Sequence, residues 1–186
     1  MRRIGGFGLT LACLFTAPAL AQGLPSPLDL QAGLAGKWTG ALGYRDYQSN
    51  KLFELPVKTD IRALPDKATV IRVSSFDDGP KTGFVYITSA SLYDTAKSTV
   101  TTTTLRKGRA VESSDQTVTT ITYTDAMHWV VRYDHDGTDN DKPALLRTTE
   151  TRDGDTVTAI KEVMPKGQPA KGWQFRNQTR LSRATG

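Results

Sequence analysis

The feature of this sequence that most restricts its fold is the regular return of turn residues between short runs rich in Thr, Val, Tyr and Ile. After Gly36, Gly, Asp and Pro recur at short intervals, and no segment keeps a helical period over three turns. β-Branched and aromatic residues favour strands, whereas Gly, Asp and Pro favour turns. The pattern therefore predicts a succession of antiparallel strands joined by hairpins.

Ten such runs follow one another along the chain. They cover 37–44, 52–63, 69–75, 83–89, 98–106, 116–124, 128–134, 144–152, 155–164 and 172–182. An open sheet of that size would leave long strand edges exposed, and closure removes them. Because sequential hairpins favour an up-and-down order, we predict an all-β fold: an antiparallel up-and-down barrel of about eight to ten strands, with one short helix before it.

The N-terminus has the order of a cleavable secretory signal peptide. Met1-Arg2-Arg3 precedes an apolar run, and Ala19-Leu20-Ala21 provides the small residues of a cleavage site. The apolar run is shorter than the roughly 20 residues that span a bilayer, so we expect no transmembrane segment. The predicted parts are a signal peptide at 1–21, a leader with a short helix at 22–35 and a β-barrel domain at 36–183. We expect the mature protein to be periplasmic or secreted.

Cys13 is the only cysteine, and it lies within the apolar run of the signal peptide. The mature domain then has no disulfide and must be stabilised by its core alone. Leu11-Ala12-Cys13 leaves one alternative open, a lipoprotein anchored through Cys13.

The charge of the chain argues against one class of partner. The formal net charge is +5, and it falls to +3 when Arg2 and Arg3 leave with the signal peptide. The remaining basic residues alternate with acidic ones and form no stripe interleaved with aromatic residues, so we expect no nucleic-acid binding. A mild positive charge favours anionic ligands or surfaces.

Gly36-Lys37-Trp38, placed after a short N-terminal helix and at the start of the first strand, resembles the lipocalins and the wider calycin group. The resemblance implies a barrel that binds a small, largely apolar ligand. It also implies that Trp38 closes one end of the barrel beneath an arginine of the last strand. Arg176 or Arg180 would supply that arginine by cation–π stacking.

A two-residue loop at Asp153-Gly154 would pair Arg147 with Ile160, and would place Arg147 and Glu162 on one face of the sheet. The sequence leaves open whether that face looks inward. If it does, Arg147 would hold a ligand carboxylate near Tyr133 and Arg176. If it does not, Arg147 belongs to a solvated salt bridge.

We expect ligand contacts from aromatic and arginine side chains of the barrel. The predicted ligand-binding residues are Trp38, Tyr44, Trp129, Tyr133, Arg147 and Arg176. Leu42, Phe53 and Phe175 would add to the apolar lining.

The segment from Asp134 to Asp141 is dense in acids. The helix–loop–helix calcium pattern fails there, because Arg132 and Pro143 would occupy its first and last ligand positions. We therefore interpret the segment as an acidic surface hairpin loop. His128 would be a structural or rim residue, since a haem or metal site would need a histidine inside the barrel.

The sequence assigns no catalytic residue, no metal site and no particular cofactor. It contains no nucleophile motif and no glycine-rich phosphate loop. If the barrel is a small enzyme, Glu54, His128 and Glu162 are the acid–base candidates.

The function predicted from the sequence is binding of a small apolar, amphipathic or carboxylate-bearing ligand by an exported protein of the cell envelope. An envelope interaction module with a filled barrel and a small barrel enzyme remain as alternatives. The identity of the ligand and the oligomeric state stay open.

Overall fold

The computed structural model describes residues 24–45, 51–167, 170 and 172–185. The predicted signal peptide, including Cys13, lies outside the described residues. Ten strands and two short helices are described. They are α1 (Pro27–Ala32), β1 (Gly36–Arg45), β2 (Leu52–Ala63), β3 (Thr69–Asp77), α2 (Gly79–Thr82), β4 (Phe84–Asp94), β5 (Thr99–Arg106), β6 (Glu112–Asp125), β7 (His128–Asp139), β8 (Lys142–Asp153), β9 (Thr156–Pro165) and β10 (Gln174–Arg183).

The strands form one closed barrel in chain order. Each strand is antiparallel to its neighbours, and β1 closes the barrel by pairing with both β2 and β10. The predicted all-β, antiparallel up-and-down barrel is therefore confirmed. Within the described residues, no helix is long and apolar enough to cross a membrane.

Strand β7 extends well beyond its predicted end at residue 134. The chain turns at Asn140-Asp141, whose φ values of 49° and 59° suit the two-residue hairpin turn that needs a positive φ at both positions. Gly137 lies within the strand opposite Ala144. A Cβ there would meet Leu146 Cδ1 at 2.5 Å, so glycine is needed for packing and not for a turn.

The acidic segment is consequently a strand and not the predicted surface loop. Asp134, Asp136 and Asp139 in this segment are each partnered by a basic side chain. Asp134 accepts hydrogen bonds from Arg132 at 2.7 Å and Arg147 at 2.8 Å. The Asp136 carboxylate lies 3.0 Å from Lys166 Nζ.

The hairpin between β8 and β9 differs from its predicted register. Gly154 and Asp155 form the loop, with Gly154 at φ 61°, and Asp153 pairs with Thr156. Arg147 therefore pairs with Glu162 and not with Ile160. The loop lies one residue later in the chain than predicted, so each residue of β8 is paired two residues further along β9. A shift of two residues is a whole strand period, so each side chain stays on the face that the alternation assigns to it.

Helix α1 closes one end of the barrel, which we call the base. The helix begins at Ser26, whose Oγ accepts from the backbone N–H of Asp29 at 3.2 Å, while the Asp29 carboxylate accepts from the backbone N–H of Ser26 at 3.2 Å. This reciprocal capping satisfies two backbone donors at the helix start. Leu28 and Leu30 face the barrel and join a core of buried side chains at the base.

Polar side chains of the barrel also hold the chain at the base. The Trp38 indole N–H donates to the Leu34 backbone oxygen at 2.8 Å. Arg152 donates to the Gly33 oxygen at 3.1 Å, and also to the Ala126 oxygen at 3.0 Å. The base is thus sealed by both packing and hydrogen bonds, which leaves the opposite end of the barrel as the route to its interior.

Candidate functional site

A buried ion pair crosses the interior of the barrel from β3 to β8. Arg72 Nη1 donates to Glu150 Oε2 at 3.0 Å, and Arg72 Nη2 donates to Glu150 Oε1 at 3.1 Å. Gln31 of α1 completes the group: its Nε2 donates to Glu150 Oε1 at 2.7 Å, and its Oε1 accepts from Arg72 Nη2. Glu150 is only 3% exposed, so its carboxylate is satisfied almost wholly by these partners.

The strand period explains why both charges face inward. Arg72 alternates with Val70 and Ser74 on the inner face of β3, and Glu150 shares the inner face of β8 with Leu146. Sequence reasoning missed this pair as a site. The available signal was limited to the alternation itself: Arg72 stands between Val70 and Ser74 on one face of β3, and Glu150 stands between Thr148 and Arg152 on one face of β8.

The electrostatics of the pair keep Arg72 charged. Burial acts against the charge, but the adjacent Glu150 carboxylate outweighs it and raises the pKa of Arg72 above its ordinary value. Removing two charges from water is costly unless close geometry and further hydrogen bonds compensate. The two parallel guanidinium bonds and the Gln31 amide provide that compensation.

Two tyrosine hydroxyls meet in the same interior. Tyr93 and Tyr133 lie 3.3 Å apart, oxygen to oxygen. Burial raises the pKa of Tyr93 to about 12, and burial also holds the pKa of Tyr133 well above its ordinary value. Both hydroxyls are therefore neutral at physiological pH.

A cavity of about 130 Å³ lies against the ion pair. Its polar lining includes Arg72, Glu150 and the hydroxyls of Thr59 and Ser74, which are 2.9 Å apart. Apolar side chains form much of the rest of the wall; they are Val57, Phe76, Val157, Ala159 and Leu181. The Arg72 side chain is 27% accessible because part of it lines this space.

The cavity adjoins two others that lead to the open end of the barrel. Phe76 lines both the deep cavity and a second one of about 50 Å³. Ile87 and Arg106 line both that second cavity and a third of about 260 Å³. We call this row of three the interior channel: it is polar at the ion pair, apolar around Phe76 and charged at the rim, where Arg106, Arg109 and Glu112 lie.

The aromatic residues predicted to bind ligand lie at different depths. Trp38 and Trp129 are buried in the core at the base, and the Trp129 indole N–H has no hydrogen-bond partner among the described residues. Tyr133 belongs to the tyrosine pair. Tyr44 lines the second cavity near the rim, where burial and then the Asp78 carboxylate raise its pKa against an opposing effect of Arg106.

The predicted arginines do not converge on one ligand. Arg147 lies on the outer face, where its guanidinium carbon is 4.0 Å from the centre of the Trp173 ring and its Nε bonds Asp134. The inward alternative for the Arg147 face is therefore wrong, because the inner face of β8 carries Leu146 and Glu150. Arg176 lies near the open end and donates from Nε to Asp139 Oδ1 at 2.6 Å.

The arginine above Trp38 is a different one from those predicted. Arg183 places its guanidinium carbon 4.5 Å from the centre of the Trp38 ring. Register explains the difference, since Trp38 pairs directly with Arg183 across β1 and β10, whereas Arg180 pairs with Ala41 on the outer face.

The side chains considered for acid–base chemistry lie outside the barrel. Glu54 pairs with Gly43, and Glu162 pairs with Arg147, both on the outer face. His128 lies exposed at the base, with Nδ1 2.9 Å from the Asp125 carboxylate.

Phe175, predicted to line the interior, faces outward, and the guanidinium carbon of Arg45 lies 5.6 Å from the centre of its ring. In the described part of the chain, no group of three or more His, Cys, Asp or Glu residues is placed to hold a metal ion.

Comparison with known proteins supports the fold but assigns no family. No family model and no curated protein sequence matches the chain. Among solved structures, the chain is similar to the crystal structure of Rv2717c from M. tuberculosis, with a TM-score of 0.57 and 18% identity, over 84% of this chain and 98% of that one. This likeness supports the barrel fold, and the lipocalin or calycin assignment is not confirmed.

Proposed function

We propose that this chain is an exported barrel protein of the cell envelope that binds a small, largely apolar ligand inside its barrel. The interior channel carries the proposal, because it runs from the buried Arg72–Glu150 pair to the open end. Ligand sites are typically apolar concavities with a few placed polar groups, and the channel has that composition. Barrels of about eight strands are just filled by their own side chains or hold one small ligand, so ten strands leave additional room.

Thermal stability of the protein, measured against a ligand panel, tests the binding. The panel contains fatty acids, aromatic acids, aromatic alcohols and haem. A ligand at 100 times its Kd stabilises the folded state by about 2.7 kcal/mol, which raises the Tm of a domain of this size by roughly 5–10 °C. Unchanged melting curves across the whole panel would contradict the proposal.

A pair of matched variants locates the site. Ala159 lines the deep cavity, whereas its neighbour Thr158 faces outward. Ala159→Leu should fill the cavity and abolish the ligand-induced shift, and Thr158→Leu should leave the shift unchanged. Equal shifts in both variants would place the ligand elsewhere.

The export part of the proposal rests on residues 1–21. The full chain expressed with its own N-terminus should yield an envelope protein that begins at Gln22. A mature protein that begins at a lipid-modified Cys13 would show anchoring, and an unprocessed chain in the cytoplasm would contradict export.

One observation favours the interaction module as a second candidate. Phe84 and Tyr86 project from the outer face of β4 and are 61% and 62% exposed. Val73 borders the same face and is also exposed. Exposed apolar patches on the surface mark interaction sites. Phe84→Ser with Tyr86→Ser should abolish cross-linking to a partner in the envelope fraction while leaving ligand-induced stabilisation intact.

A further inference from the structure

We infer that the interior channel selects a ligand of about one ring in size whose buried head group is uncharged, such as a hydroxyl or a carbonyl. This inference rests on the proposed function and specifies its ligand class. It differs from the carboxylate binding that the sequence suggests.

The first argument is that Arg72, the only arginine lining the deep cavity among the described residues, already has its charge neutralised by Glu150. Both terminal nitrogens of Arg72 donate to Glu150, and Nη2 also donates to Gln31. A carboxylate ligand that used the remaining N–H groups of Arg72 would place two carboxylates against one cation, and a ligand that displaced Glu150 would leave that carboxylate buried without its cation. Both are unfavourable, because like charges repel and breaking a buried pair is costly.

The second argument concerns the remaining polar groups of the deep cavity. Thr59, Ser74 and Thr179 present hydroxyls, each of which can donate or accept a hydrogen bond. Such groups match an alcohol or carbonyl group without any charge to compensate. A bound ammonium or carboxylate would bring a net charge into a site whose own charges cancel.

The other charged side chains near the channel do not change the net charge of the deep cavity, in which Arg72 and Glu150 cancel. At the rim, Arg106 and Arg109 are accompanied by Glu112, and Asp78 lines the adjoining cavity. Lys161 shares the inward face of β9, but it does not line the deep cavity. Arg106 and Arg109 lie at the rim and do not line the deep cavity, where Arg72 is the only arginine among the described lining residues.

The third argument is size. A cavity of about 150 Å³ in another protein admits benzene. The deep cavity of about 130 Å³ and the adjoining one of about 50 Å³ share Phe76. The deep cavity by itself is close to the size that holds one aromatic ring or a short alkyl chain, with the head group at Thr59 and Ser74 and the apolar part beside Phe76.

The test compares three probes that share one ring: benzyl alcohol, benzoate and benzylamine, titrated into the protein at pH 7 by calorimetry. We expect benzyl alcohol to bind at least 10-fold more tightly than either charged probe. Thr59→Val should weaken benzyl alcohol binding several-fold, because it removes a hydroxyl from the cavity while keeping its shape.

A charge-neutralising variant sharpens the test. Glu150→Gln removes the charge that neutralises Arg72, so benzoate should gain at least 10-fold relative to benzyl alcohol. Glu162→Gln makes the same substitution on the outer wall and should leave the preference unchanged. If Glu150→Gln does not fold, the binding of the three probes to the wild type and to Thr59→Val tests whether the site prefers an uncharged head group.

The outcomes separate the inference from the function on which it rests. Tighter binding of benzoate or benzylamine by the wild type overturns the inference and leaves interior binding intact. If that benzoate binding is lost in Lys161→Gln, Lys161 is the anion site. No binding of any probe, together with no stabilisation by the wider ligand panel, overturns the proposed function itself.

Discussion

The guanidinium group of Arg183 lies over the ring of Trp38, with 4.5 Å between the guanidinium carbon and the ring centre. The same group donates to the backbone oxygens of Ala35 at 3.0 Å and Gly33 at 3.4 Å. Gly36 permits this approach, because a Cβ at that position would lie 2.8 Å from Arg183 Nη1. The last strand thereby fixes the chain that leads from α1 into β1.

Arg183→Ala should therefore destabilise the protein by about 2 kcal/mol, through loss of the cation–π contact and of hydrogen bonds from a charged donor. Urea unfolding followed by tryptophan fluorescence measures the change. Arg180→Ala, on the outer face of the same strand, is the control and should cost less than about 0.5 kcal/mol. Equal losses in the two variants would contradict a specific role for Arg183.

Gly40 should tolerate alanine far less well than Gly137. A Cβ at Gly40 would lie 1.9 Å from the backbone oxygen of Arg180, which cannot move without opening the β1–β10 pairing. At Gly137 the obstacle is the end of the Leu146 side chain at 2.5 Å, which can change rotamer. We expect Gly40→Ala to cost about 3 kcal/mol or more and Gly137→Ala about 1 kcal/mol. The reverse order in urea unfolding would show that the barrel closes more loosely than the structure indicates.

Removing one partner of the Arg72–Glu150 pair should lower the free energy of unfolding more than replacing both partners with apolar side chains. Glu150→Leu alone leaves the Arg72 guanidinium inside the barrel without its carboxylate, and we expect a loss of about 3 kcal/mol. The double variant Arg72→Met with Glu150→Leu should recover part of that loss, and should remain about 1–3 kcal/mol below wild type because the buried Gln31 amide loses both partners. A double-mutant cycle measured by urea unfolding gives the coupling, and additive losses would contradict it.

Stability should fall at alkaline pH because of Tyr93. An unfolded tyrosine ionises near pH 10, whereas burial raises the pKa of Tyr93 to about 12 in the folded state. Above pH 10 the unfolded state therefore holds fewer protons than the folded state, so the free energy of unfolding decreases as pH rises toward 12. The decrease attributable to this group is on the order of 1–3 kcal/mol.

Unfolding free energies measured from pH 8 to pH 12 check this dependence against the phenylalanine variants. Tyr93→Phe should have a shallower decrease than wild type. Tyr86→Phe, at an exposed position on the outer face, should follow the wild-type curve. A Tyr93→Phe profile as steep as wild type would assign the alkaline loss to other groups.

Local patterns predicted the strands well and their ends less well. All ten runs correspond to strands, because alternation and β propensity are properties of neighbouring residues. The end of β7 was missed because Asp136-Gly137 has the composition of a turn. The packing of Leu146 against Gly137 keeps that segment in the barrel, and no local pattern contains this contact.

The candidate site was predicted only in part for the same reason. The sequence predicted ligand contacts from aromatic and arginine residues on the strands, and of these Tyr44 does line the interior channel. It pointed to Arg147, which the Asp153-Gly154 hairpin placed on a defined face, and not to Arg72, because the alternation does not say which face of a strand looks inward. Only the closed barrel shows that Arg72 meets Glu150, which is 78 residues away, whereas Arg147 meets Asp134 on the outer face.

The sequence by itself determined the strand order and the grouping of side chains by face, since these follow from the strand period and from the succession of turn residues. The tertiary structure decided which face is inside, where α1 docks and which charges are neutralised. Gln31 and Glu150, separated by 119 residues, become hydrogen-bonded only when the barrel closes around α1. Closure brings distant groups out of water together, and this shared burial determines the character of the site.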